Sequence, residues 1–164
     1  MLDILFALPT LFIIALFIIA FSYSNNVLTS AFENVTMISN ETKAKITVPA
    51  KAFFDTFNYG FLAIVVATFI LISALAYWSN MHPMFFPISL FVMAIAVFFS
   101  FFLANAYWDF VNTSAEFLAL ANQFWVVTYI MKNLPFIVTA FCFFLAYITY
   151  KGKGYQPSQP SGGL

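Results

Sequence analysis

The sequence is short of charge. Of its 164 residues only 7% are charged; six lysines, with no arginine, balance six acids, so the formal net charge is zero. Soluble domains carry about 25% charged residues, so this composition excludes a soluble globular domain, and the neutral balance excludes the basic field that nucleic-acid binding requires. A single cysteine excludes an intrachain disulfide and a multi-thiolate metal site, and a single histidine excludes most histidine-based ligand sets.

The sequence contains long runs of apolar residues instead. Hydrophobic residues make up 63% of the chain and include 24 phenylalanines. A helix needs about 20 mostly apolar residues to cross the hydrocarbon layer of a membrane. Four runs of suitable length contain no charged residue, and they cover residues 4–21, 61–78, 84–104 and 134–150.

These runs predict an all-α integral membrane domain over residues 1–150 with four transmembrane helices. Residues 79–83 join the second and third runs, and so short a connection predicts a central antiparallel hairpin of these two helices. The first run has an alternative interpretation as a cleaved signal peptide. Asp3 is its only early charge and residues 21–24 form a poor cleavage site, so a retained membrane anchor is favoured.

The connection over residues 22–60 is the longest polar part of the chain. Within it, residues 45–48 alternate between polar and apolar, which predicts a short strand ended by Pro49. From residue 50 to 60 phenylalanine recurs at helical spacing. This pattern predicts a lead-in helix that lies at the membrane interface and then turns into the second run.

Residues 105–133 are less polar. Thr113 or Ser114 is a candidate helix cap, and the apolar residues that follow give a wide hydrophobic face. Such a helix either lies flat on the membrane or continues into the fourth run with a bend at Pro135. The bent continuous helix is favoured, and Lys132 would then snorkel from near the start of the span.

The last segment, residues 151–164, is rich in Gly, Pro, Ser and Gln, which predicts an extended and flexible tail. Its role is open between a disordered end and a docking peptide for a partner outside the membrane. The orientation of the chain is also open, because lysines flank the membrane on both predicted sides. Asn34, Asn40 and Asn112 each begin an Asn-x-Ser/Thr triplet, which matters only in a eukaryotic secretory pathway.

Groups suited to catalysis are scarce. His82 has no neighbouring ligand type in the sequence, and Cys142 lies within the fourth apolar run, where a thiol is unreactive. Asp109 and Glu116 are seven residues apart and could share a helix face, but no polar cleft is evident beside them. We therefore predict no catalytic, cofactor-binding or metal-binding residue, no cofactor and no enzyme activity.

The sequence also gives little support for a transporter. Carriers need ionisable groups or broken helices at membrane depth, and the four runs contain no charge, Asn or Gln. Hydroxyl groups remain, and they leave open a homo-oligomeric pore of the kind formed by phage holins. The hydroxyl residues considered for such a pore are Thr68, Ser73, Ser89, Ser100 and Thr139.

Three short stretches carry a resemblance. Residues 82–89 open the third run, residues 105–107 close it, and residues 129–135 open the fourth. In this arrangement the chain, over roughly residues 50–150, resembles small multi-span membrane proteins of lipid-containing, tailless icosahedral viruses of bacteria and archaea. The resemblance implies a minor virion protein in the internal membrane beneath a capsid, and it carries over no active site.

The expected function is therefore structural: a membrane protein that anchors or organises a larger assembly. Its expected partners are the lipid bilayer and other membrane or capsid proteins, contacted through the tail at 151–164 or the connection at 22–60. A homo-oligomer is possible, and no nucleic acid is expected. The alternatives are a holin-like or other pore and an accessory subunit of a respiratory or other membrane complex.

Overall fold

The computed structural model describes residues 2–33, 40–78 and 86–151, with side-chain surroundings for 3–31, 55–78 and 87–149. Across these residues the chain forms six α-helices and no strand, which confirms the all-helical prediction. The helices are α1 (Leu2–Glu33), α2 (Asn40–Trp78), α3 (Phe86–Val111), α4 (Ala115–Gln123), α5 (Trp125–Lys132) and α6 (Leu134–Lys151).

Three helical stretches are long and apolar enough to cross a membrane: Asp3–Ala31, Asp55–Trp78 and Pro87–Val111. A fourth is obtained when Trp125–Lys132 and Leu134–Thr149 are taken together, although they are bent by 65° at the residue between them. The structure is therefore compatible with three or four membrane-spanning elements.

The strand predicted at residues 45–48 is wrong, because these residues lie inside α2. A four-residue alternation is weak evidence against a helix, which gains a hydrogen bond for each residue added to an existing turn. The predicted lead-in segment at 50–60 is helical, as expected. It does not turn before the second apolar run, since α2 is continuous from Asn40 to Trp78.

The favoured continuous helix through residues 115–133 is also wrong. Phe124 separates α4 from α5, and the bend into α6 falls at Asn133 rather than at Pro135. Pro135 is the second residue of α6, where the missing N–H of proline costs little. The N-cap of α4 is Ser114, whose hydroxyl accepts a hydrogen bond from the backbone N–H of Phe117 at 3.2 Å.

The four long helices pack in a ring. Both α1 and α6 contact α2 and α3, so that α2 and α3 occupy opposite corners. The two helices of the predicted hairpin, α2 and α3, therefore pack mainly against α1, α5 and α6. A short connection limits the distance between two helices, but it does not require the helices to touch. The residues that join α2 to α3 lie outside the described part of the chain.

The buried face of α3 is a narrow seam. Its buried residues follow one another at alternating steps of four and three residues, the spacing of helices that pack as in a coiled coil. These residues are Ser89, Met93, Ala96, Ser100, Leu103 and Tyr107, and Val111 continues the buried face one turn further along the helix.

Val97, Phe99, Ala104 and Phe110 flank this seam and are partly buried, while the opposite side of α3 is largely apolar and exposed; Phe98, for example, is 77% exposed. A helix that is hydrophobic all round and buried along one seam requires apolar surroundings.

This seam predicts different outcomes for two alanines of the same helix. Ala96 is fully buried, whereas Ala94 is exposed. Ala96→Leu should therefore overpack the seam and destabilise the protein by about 1–3 kcal/mol, while Ala94→Leu should change stability by less than about 0.5 kcal/mol. Thermal unfolding followed by circular dichroism in detergent micelles measures both, and equal effects would contradict the assigned buried face.

Candidate functional site

The main concentration of buried polar groups that the structure describes surrounds the break between α4 and α5. The break is at Phe124, whose backbone torsions of φ −88° and ψ 55° lie outside the helical range. A helix break leaves neighbouring N–H and C=O groups without their usual partners. Such groups are costly in an apolar interior unless other atoms pair with them.

Asn58 of α2 provides two of these partners. Its Nδ2 donates a hydrogen bond to the carbonyl oxygen of Gln123 at 3.1 Å, and its Oδ1 accepts one from the N–H of Val126 at 3.3 Å. The side chain is 2% exposed. One amide group therefore bridges both sides of the break, in the way a neighbouring peptide group would.

Thr128 of α5 provides the third partner. Its Oγ1 donates to the carbonyl oxygen of Ala121 at 2.7 Å, which reconnects α5 to α4 across the break. A hydroxyl has a single hydrogen, so the 3.0 Å contact between Thr128 Oγ1 and the hydroxyl of Tyr107 is a hydrogen bond donated by Tyr107. Tyr107 is fully buried and ties α3 into the same network.

We call Asn58, Tyr107 and Thr128 the polar clamp. Its three side chains come from three helices and meet at one end of the ring. Amide and hydroxyl groups orient a backbone well, but none of the three is charged at neutral pH. The clamp is therefore suited to holding the broken segment in place, and its chemistry does not point to acid–base or nucleophilic catalysis.

Sequence reasoning missed the clamp. Asn58 lies three residues before the second apolar run, where an amide attracts no attention, and its partners are 65 and 68 residues further along the chain. A buried position for Asn58 could have been suspected from its helical spacing of three and seven residues to Phe61 and Val65, both of which are buried.

The acids considered from the sequence lie apart. Asp109 is exposed near the end of α3, and Glu116 lies in the first turn of α4 beside the hydroxyl of Tyr23 on α1. They do not share a helix face, because α3 ends at Val111 and a turn precedes α4. The pairing considered from their spacing is therefore not formed.

The remaining candidates do not form a site in the described residues. Cys142 is a buried free thiol on α6, and across the described part of the chain no group of three or more His, Cys, Asp or Glu residues is placed to hold a metal ion. His82, Asn34 and residues 152–164 lie outside the described residues. Asn40 begins α2, and Asn112 donates its amide hydrogen to the carbonyl oxygen of Trp108.

Four of the hydroxyl groups considered for a pore donate to carbonyl oxygens of their own helix, at 2.6–2.8 Å. They also lie in different places: Thr68 lines a groove between α1 and α2, Ser73 lines the groove between α2 and α6, and Ser100 is fully buried, so these groups do not line one common passage. The four are Thr68, Ser73, Ser100 and Thr139.

An open groove of about 730 Å³ separates α2 from α6. Its walls include Phe69 and Phe141, whose stacked rings have centroids 4.2 Å apart. No charged residue lines the groove, and the hydroxyl of Ser73 within it is already bonded to its own helix. The groove therefore offers apolar contact without a polar anchor.

The outer surface has two aromatic ends. Tyr77 and Trp78 close α2, and Trp78 is 76% exposed. At the opposite end, level with Asn58, Trp108, Trp125 and Tyr129 are exposed. The twenty residue steps from Asn58 to Trp78 rise about 30 Å in an α-helix, which equals the thickness of the hydrocarbon layer.

Comparison with protein-family models, with curated proteins and with solved structures found no match. The function is therefore inferred from the surfaces and contacts of this chain alone.

The clamp predicts that substitution of Asn58 destabilises the protein. Asn58→Leu keeps the side-chain size but leaves the carbonyl of Gln123 and the N–H of Val126 unpaired, so unfolding should become easier by about 2 kcal/mol. Asn112→Leu is the matched control: it removes a hydrogen bond from an exposed amide and should cost less than about 0.5 kcal/mol. Detergent-based unfolding titrations measure both, and a neutral Asn58→Leu would show that the clamp does not stabilise the fold.

Proposed function

We propose that the chain is a multi-pass integral membrane protein with four spans, whose role is structural: it anchors or organises a larger assembly. The observation that carries this proposal is the outer surface, which is apolar between two aromatic ends about 30 Å apart. Aromatic residues of this type concentrate where a membrane meets water. In this arrangement α1, α2 and α3 each span the membrane, and α5 and α6 together form the fourth span.

A structural role is supported by the use of the polar groups. In the described residues, the clamp amide and hydroxyls pair with backbone groups of the break, and the hydroxyls of α2, α3 and α6 considered above pair with their own helices. The clamp bonds hold helices together, the other hydroxyls are already bonded within their own helix, and neither set is presented to a substrate.

The narrower form of the proposal follows from the resemblance to membrane proteins of lipid-containing icosahedral viruses. In that form the chain is a minor virion protein of the internal membrane, and the tail at 151–164 or the connection at 22–60 contacts capsid proteins. The outward apolar surface is then the lipid-facing surface, and the polar segments remain for partners.

Membrane placement is tested by the depth of single tryptophans. Variants that retain only Trp78 or only Trp108 should be quenched most by lipids brominated close to the headgroup, because both residues lie at the aromatic ends. A tryptophan-free variant carrying Phe98→Trp should be quenched most by lipids brominated near the bilayer centre, since Phe98 lies midway along α3 and faces outward. Equal depths for the three positions would contradict the spanning arrangement.

Assembly is tested separately. Deletion of residues 154–164 should leave membrane insertion unchanged and reduce incorporation into membrane-containing particles, measured as the ratio of this chain to capsid protein in purified particles. Unchanged incorporation would remove the role of the tail. Sustained conductance of liposomes containing the purified chain would instead favour a pore, and stable co-purification with respiratory subunits in mild detergent would favour an accessory role.

A further inference from the structure

The exposed face of α5 has a composition that the structural role does not explain. Trp125, Tyr129 and Lys132 are exposed and follow one another at steps of four and three residues, so they share one face of the helix. The opposite face is buried against the ring. Its buried residues are Val126, Val127, Ile130 and Met131.

The backbone of Lys132 lies deeper in the proposed apolar layer than the aromatic residues at this end of the protein. Asn58 contacts the start of α5 and Phe69 stacks on Phe141, so α2 and α6 run in the same direction. Counting back from this stacked pair places Leu134 level with residue 62 of α2, about 6 Å deeper than Asn58. Lys132, two residues earlier, therefore starts within the outer part of the apolar layer.

The lysine side chain reaches toward the aromatic end. Its Nζ lies 5.5 Å from the centre of the Trp108 ring on α3, a distance at which the cation and the ring attract each other. The acid of α4, Glu116, lies instead beside Tyr23 on α1. The positive charge is therefore presented outward at the lipid surface, with an aromatic ring on one side of it.

We propose that Lys132 and Trp108 bind the phosphate of an anionic phospholipid headgroup at the bend between α5 and α6. Charge complementarity identifies the occupant: the phosphates of a bilayer lie at the level where tryptophan, tyrosine and snorkelling lysine collect. Trp125 and Tyr129 contact the interface beside the headgroup. Phe136, exposed on the first turn of α6, contacts the acyl chain below it.

This inference depends on the membrane placement proposed above, and it adds a preference for one class of lipid. A lysine close to an anionic lipid surface contributes about 1 kcal/mol, which corresponds to about a fivefold local enrichment of the anionic lipid. Lipids elsewhere around the protein should show no such preference. The preference should therefore be measured at Trp108 itself.

The test uses the full chain with Trp78→Phe and Trp125→Phe, so that Trp108 is the only tryptophan and is excited selectively. Proteoliposomes contain phosphatidylcholine and phosphatidylglycerol at fixed proportions, and either one or the other lipid is brominated. Quenching of Trp108 should indicate about fivefold more phosphatidylglycerol beside it than in the bulk. Lys132→Gln should abolish the enrichment and Lys132→Arg should retain it. Lys151→Gln, at the other end of α6, is the control and should also retain it.

The outcomes separate the two proposals. If brominated lipids of both kinds quench Trp108 equally, the headgroup site is wrong while the membrane placement stands. If neither kind quenches Trp108, the membrane placement itself fails. An enrichment that persists in Lys132→Gln would also overturn the site, because the lysine would not be its source.

Discussion

The backbone around Phe124 imposes the constraint on which the rest of the structure depends. A chain in an apolar medium has to pair every backbone N–H and C=O internally, and regular helices do so along their whole length. The break between α4 and α5 does not, and the polar clamp supplies what is missing through Asn58 and Thr128. Because the clamp fixes where α5 begins, it also fixes the bend at Asn133 and the position of α6 between α2 and α3.

The helices that surround the clamp associate through close packing of their side chains. Lipid chains are as apolar as the side chains, so helices in a membrane associate through close van der Waals contact and small residues. Ala15, Ala96 and Ser100 are fully buried in the seams, whereas many phenylalanines face outward. The abundance of phenylalanine in the sequence therefore describes the outer surface more than the core, the reverse of a soluble protein.

Counting apolar residues located the helices but not their ends or contacts. The four runs identify the most apolar parts of α1, α2, α3 and α6, because uninterrupted hydrophobic length is a local property. The ends differ: α1 continues to Glu33 and α2 begins at Asn40, since a helix can extend into polar sequence on backbone hydrogen bonds alone. The break at Phe124 has no local signal of Gly or Pro. The side chains that pair with its open backbone groups, above all Asn58, are distant in the sequence.

In the proposed placement, the break at Phe124 lies at a different membrane depth from the binding sites of carriers. Binding sites of transporters lie where helices unwind near the middle of the bilayer. Asn58 lies about 13 Å from the midpoint of the Asp55–Trp78 span, at the boundary of the apolar layer and level with Trp108 and Trp125. In the proposed placement the unwound backbone therefore meets the headgroup region at one end and never reaches the centre. A break at this position places α5 near the edge of the layer with a buried and an exposed face, which supports the proposed anchoring role.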